Sequence, residues 1–190
     1  MDTPANPGRL FFTGDEEADK LLASDPMALL IGFVLDQQVS VQKAFGGPLE
    51  LRKRLGTLDA ARIAATDPNV LDEIFRRRPA LHRFPGNMAR RTQELSAAIV
   101  ERYGGDPKRI WTEAGDATDL RQRLLDLPGI GEMKAAALLA ILGRRFAVKP
   151  AGWEAVAPAH PTLGDVDSPE ALADYQTAKR ARKAEMRLKG

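Results

Sequence analysis

The stretch Leu127-Pro128-Gly129-Ile130-Gly131 decides the reading of this chain, because it sets a tight turn between two helical segments. Asp119 to Leu125 precedes it, and Met133 to Leu142, rich in alanine and leucine, follows it. Gly129 and Gly131 permit backbone conformations and a close approach that a β-carbon would block. The helix that follows offers unpaired amides and the positive end of its dipole to an anion. Such a turn suits one phosphate of a nucleic acid, a contact that positions a duplex without reading its sequence. The same five residues also fit an ordinary connection between helices, so their surroundings decide between the two.

Outward from the turn, helix signals recur and alternating strand patterns are nearly absent. Asp15 to Ala23 reads as a short polar helix, and Asp25-Pro26 as an N-cap followed by proline at the first helical position. Met27 to Leu35 is apolar nearly all round, the pattern of a helix buried on most faces. Asp36-Gln37-Gln38-Val39-Ser40 interrupts it. A helix from Ser40 to Phe45 is then expected to stop at Gly46-Gly47-Pro48, with short helices at Leu49 to Leu55, Leu58 to Ala65 and Pro68 to Arg76. Gly86 to Tyr103 reads as a long amphipathic helix, Asp106-Pro107 opens a turn holding Trp111, and Gly143 is expected to stop the helix after the hairpin. Phe146-Ala147-Val148 looks like a short apolar strand. Ser168-Pro169-Glu170 opens a last helix, and its end from Lys179 to Lys189 holds six basic residues and one acidic one. That run fits either a helix lying on DNA or a solvated tail.

With 190 residues and 44% hydrophobic content, the chain can bury a core of one domain or two small lobes. No run approaches the ~18 apolar residues of a membrane span, and Met1-Asp2-Thr3-Pro4 has no signal-peptide pattern, so a cytoplasmic protein is the default expectation; a monomer, nucleoid-associated if it binds DNA, is expected besides. The absence of cysteine removes disulfides, zinc-thiolate sites and iron–sulfur clusters, and His82 and His160 are too few to build a metal centre alone. The formal charge is only +2, yet Arg76, Arg77, Arg78, Arg83, Arg90 and Arg91, with Arg144, Arg145 and Lys149, are clustered as a phosphate-binding face would be. A solvated basic face has the same composition.

Ile31-Gly32-Phe33-Val34-Leu35-Asp36-Gln37-Gln38-Val39-Ser40-Val41, followed downstream by the hairpin, resembles the HhH-GPD superfamily of base-excision DNA glycosylases. That superfamily is named for the helix-hairpin-helix and a Gly/Pro-rich loop ending in aspartate. The Gln-Gln-Val-Ser turn looks most like its alkylbase-repair branch, and the similarity spans about Asp25 to Val148. The resemblance implies an all-α fold of two helical lobes with a cleft between them. It divides the chain into a segment with a short helix at 1–24, a helical core at 25–150, and a loop with a basic helix at 151–190.

By the same resemblance the partner is double-stranded DNA, gripped through Gly129, Ile130, Gly131 and Lys134. Gln38 would be the wedge that fills the space of a flipped base, offsetting part of the few kcal/mol that flipping costs. Main-chain carbonyls of Leu125, Leu127 and Ile130 would hold a monovalent cation, and no other cofactor is implied. Trp153 and Phe33 are the candidates for stacking on the flipped base, and Trp111 is a weaker one that core packing also explains.

Family chemistry hydrolyses an N-glycosidic bond through a cationic sugar, which a nearby carboxylate stabilises. The sequence departs from the family at this point. Lys149 occupies the place of the aspartate, and Pro150-Ala151-Gly152-Trp153 follows where the family has a short helix. Met133 stands where backbone-cleaving members carry a lysine, and Phe33 where adenine-removing members carry a glutamate. Lys134 is one residue on, and a one-residue step turns a helical side chain by ~100°, toward phosphate or solvent. Asp36, Glu132 and Glu154 remain as carboxylates that could stand in. Lys149 itself could serve as an amine nucleophile if burial or neighbouring charge lowered its pKa. The expectation is a monofunctional glycosylase, or else a glycosylase-like module that binds distorted or abasic DNA without cleaving it.

Overall fold

The computed structural model describes residues 6–190, and every regular element in them is helical. Met1 to Pro4, read above for a signal peptide, lie outside the described residues. No helix among the described residues is long and apolar enough to cross a membrane.

The centre of the fold is α2 (Pro26–Leu35), which begins on an Asp25 cap accepting the Met27 N–H and buries nine of its ten residues. Such a helix needs neighbours on every side. α1 (Glu16–Ser24) and α3 (Val41–Leu55) pack on it, and the Phe45 ring meets Phe33 and Phe12 edge to face at 5.1 and 5.2 Å. α3 runs straight through Gly46-Gly47-Pro48, where the sequence suggested a stop. The reason is tertiary: the missing side chain of Gly47 makes room for Leu35, and that of Gly32 makes room for Phe45.

α4 (Ala60–Ala65) and α5 (Pro68–Arg76) pack on the long α6 (Pro85–Tyr103), whose Met88, Leu95 and Ile99 point inward with the expected helical period. α7 (Arg109–Thr112) and α8 (Ala117–Leu125) lead to the hairpin, and α9 (Glu132–Arg145) follows it. α9 does not stop at Gly143, because that position is an open notch filled by the indole of Trp153. Phe146-Ala147-Val148 forms no strand. The Val148 N–H instead bonds back to the Leu142 carbonyl at 2.9 Å across Ala147 at φ 55°, so the segment caps α9.

The segment after Lys149, where the sequence suggests a loop in place of the family's short helix, contains a short helix after all, α10 (Trp153–Val156). A 3₁₀ turn at Leu163–Asp165 packs on α9 and leads to α11 (Pro169–Leu188), capped by Ser168. Leu10 and Phe12 from the first segment, and Leu163, Val166 and Leu172 from the last, join one contiguous apolar core with residues of the central stretch. The first segment is also tied by buried Asp19. Its carboxylate accepts the N–H groups of Phe12 and Thr13 and the Thr13 hydroxyl, and pairs with Arg9.

Candidate nucleic-acid interface

The hairpin is folded by its own short-range bonds. Leu127 N–H donates to the Leu124 carbonyl and Ile130 N–H to the Leu127 carbonyl, each at 3.2 Å, while the Leu127 and Ile130 side chains sink into the core. Gly129 has φ 82°, in the left-handed region, and a β-carbon there would lie 3.4 Å from Val34. The turn is therefore seated on the last turn of α2. Gly131 differs: although both glycines are exposed, a β-carbon here would touch nothing, and no side chain caps the amino end of α9 among the described residues. The first amides of α9 thus donate to no side-chain cap, which leaves donors that an anion could take up. Of the three carbonyls read as cation ligands, that of Leu127 already accepts one hydrogen bond and keeps a second lone pair.

Beyond Val34, α2 ends in a pinned turn. Asp36 sits at φ −74°, ψ 68°, and the Gln37 N–H donates to the Leu35 carbonyl at 2.7 Å, the geometry of an inverse γ-turn. Gln38 follows at φ 56°, a backbone state that non-glycine residues adopt only when the surroundings enforce it. Its side chain is exposed, whereas the Gln37 amide oxygen accepts Arg91 from α6 at 3.2 Å. Of the two glutamines, Gln38 is the one free to leave the surface.

Asp36 is half-buried beside this turn. Burial raises its carboxyl above the ordinary carboxylate value, while the ammonium groups of Lys179 and Lys134 pull it back down. Lys134, in the first turn of α9, is lowered by its own burial and supported by Asp36, and its Nζ lies 3.5 Å from the Gly129 carbonyl. Tyr175 on α11 completes the group, its phenol raised by burial and then by Asp36. Two elements far apart in sequence, α9 and α11, thus both bear on the charge of one carboxylate. Lys179 and Tyr175 were missed as members of this site. Their only sequence signal is that Leu172, Tyr175 and Lys179 recur at helical spacing, which puts them on one face of α11. Glu132, by contrast, pairs with Arg121.

The remaining candidates lie elsewhere. Trp153 is 6% exposed, donates its indole N–H to the Leu139 carbonyl at 3.1 Å, and carries the Lys149 ammonium 4.8 Å from its ring centre. Gly143, which receives that ring, is nine residues past Lys134, ~13 Å along the helix axis. Lys149 and Trp153 are therefore at the far end of α9 from Asp36, and Glu154 is exposed there and forms no ion pair among the described residues. As placed, Trp153 has no free face for a base, and neither has Phe33, 1% exposed against Phe45. A separate cavity of about 440 Å³, lined by Leu22, Leu29, Trp111, Leu142, Phe146 and Val148, opens at the amino end of α2.

Comparison of the chain with family models, with curated proteins and with solved structures found no match.

Proposed function

We propose that this protein is a base-excision DNA repair glycosylase of the helix-hairpin-helix type, acting on a damaged base in double-stranded DNA. The hairpin grips one phosphate through the amides after Gly131, Gln38 enters the duplex where the base leaves, and the reaction takes place in a cleft between two helical lobes. Asp36 supplies the carboxylate that Lys149 displaces from the family position. Ionised, it stabilises the positive charge that develops on the sugar as the glycosidic bond breaks. The ammonium groups of Lys179 and Lys134 favour that ionised form, against the burial that raises its pKa. The carbonyls of Leu125, Leu127 and Ile130 are the groups that would hold a monovalent cation under the turn.

The observation that carries this reading is the closeness of Gly129 to Val34, where a β-carbon would lie 3.4 Å away, because it sets the hairpin turn against the same end of α2 that presents Asp36 and Gln38. The test is base release from duplexes carrying alkylated, deaminated or oxidised bases. Wild-type protein is expected to release at least one class, and Asp36→Asn to lose about a hundredfold of that rate. Binding without release from any substrate would overturn hydrolysis. It would favour the second reading, a module that holds distorted or abasic DNA, which the engagement of Lys149 with Trp153 supports.

A further inference from the structure

α11 has two halves of opposite character. The first is docked: Leu172 is buried, Tyr175 packs on the core, and Gln176 exchanges two amide hydrogen bonds with Gln42 of α3, at 2.8 and 3.2 Å. From Thr177 onward every residue is exposed, and the helix continues to Leu188 without support from the core.

Helical spacing shows what this overhang presents. Residues 172 and 175 face the core, and the same face is continued at i+3, i+4 and i+7 by Lys179, Arg182, Lys183 and Met186. An apolar inner face thus becomes cationic where the helix leaves the protein, beginning at Lys179, whose ammonium lies 5.8 Å from the Tyr175 ring centre. Arg180, Arg187 and Lys189 add to it, with Glu185 the single opposing charge. None of these six cations forms an ion pair among the described residues. A membrane surface would ask for an apolar stripe, which this half lacks, since only Met186 and Leu188 are large and apolar.

We infer that the exposed half of α11 is a DNA-binding arm, whose Lys183, Arg187 and neighbouring cations track duplex phosphates flanking the site gripped by the hairpin. This rests on the reading of the chain as a duplex-binding protein and adds a second, independent contact to it. The exposed run is ~16 Å long, and duplex DNA offers one charge per ~1.7 Å of its axis, so several phosphates lie within its length.

The experiment compares full-length wild type, the double variant Lys183→Gln/Arg187→Gln and Gly131→Val. Affinity for a short duplex containing an abasic site is measured across a salt series. Neutralising the two arm cations is expected to flatten the slope of log affinity against log salt by about two, at ~0.9 per phosphate, and to weaken binding on the order of tenfold. If the double variant matches wild type while Gly131→Val binds weakly, the arm is refuted and the hairpin reading stands. If only the double variant weakens binding, the arm stands and the hairpin grip fails. Wild type that ignores the duplex, whether or not it binds anionic phosphatidylserine vesicles, overturns both.

Discussion

His82 Nε2 donates to the Leu35 carbonyl at 3.0 Å, the same oxygen that accepts the Gln37 N–H, so one buried imidazole from the loop before α6 holds the turn that presents Asp36 and Gln38. The other ring nitrogen, Nδ1, accepts the Phe84 N–H at 2.9 Å. Both roles are met only by the neutral ring with its proton on Nε2. Removing the ring in His82→Ala leaves the Phe84 N–H orphaned and a void behind it, and is expected to cost about 2–3 kcal/mol in denaturant unfolding.

Acidification should act on the same contact. Burial lowers the His82 pKa from its ordinary value of 6.5, so the unfolded chain binds the proton more readily than the folded one. The stability this gives is complete above pH ~6.5, falls as the pH drops through that value, and levels off below the folded pKa. Asp25 and Asp36, both raised by burial, act in the opposite sense at lower pH, where their protonation favours the folded state. Unfolding midpoints measured from pH 8 to pH 5 should therefore decline near pH 6, and His82→Gln should remove that decline.

The two hairpin glycines are expected to fail differently. Gly129→Val forces a β-branched residue into a left-handed conformation against Val34, costing about 2 kcal/mol or more of stability. Gly131→Val meets open space and should leave the melting temperature within a degree or two while weakening duplex binding for any sequence, because the side chain occupies the phosphate's approach. Equal loss of stability in both variants would contradict this division.

Gln38→Ala should separate gripping from flipping. Affinity for an undamaged duplex is expected to change less than twofold, and base release, or affinity for an abasic duplex, to fall on the order of tenfold as the wedge is lost. Gel shift and single-turnover release on the same preparation check the two halves.

Trp153→Phe tests the placement of the indole. It keeps the packing in the Gly143 notch and loses the bond to the Leu139 carbonyl, for a stability cost of about 1 kcal/mol with no change in base release. A selective loss of release would return Trp153 to the role of a stacking platform.

The elements that could be read from sequence are those whose signals are local. α2 declares itself through Asp25-Pro26 and an unbroken apolar run, and the hairpin through its proline and two glycines. Gly47 and Gly143 misled because they serve packing: each admits a side chain from another part of the chain, Leu35 in one case and Trp153 in the other. Nothing within a few residues of a glycine distinguishes that use from a helix stop. The same limit hid half of the candidate site. Asp36 could be picked out beside Gln38, but its meeting with Lys134, Tyr175 and Lys179 depends on how α9 and α11 dock. Lys149, four residues before Trp153, drew attention to a region that the fold places at the other end of α9.

The paired amides of Gln42 and Gln176 give α11 an attachment that carries no charge. Because ionic screening acts on charges and hardly on neutral amides, raising the salt should strip a polyanion from the outer half of the helix while its root stays fastened to α3. The arm would then behave as a hinge-free bracket: its hold on a partner varies with the ionic medium, and its position relative to Asp36 does not.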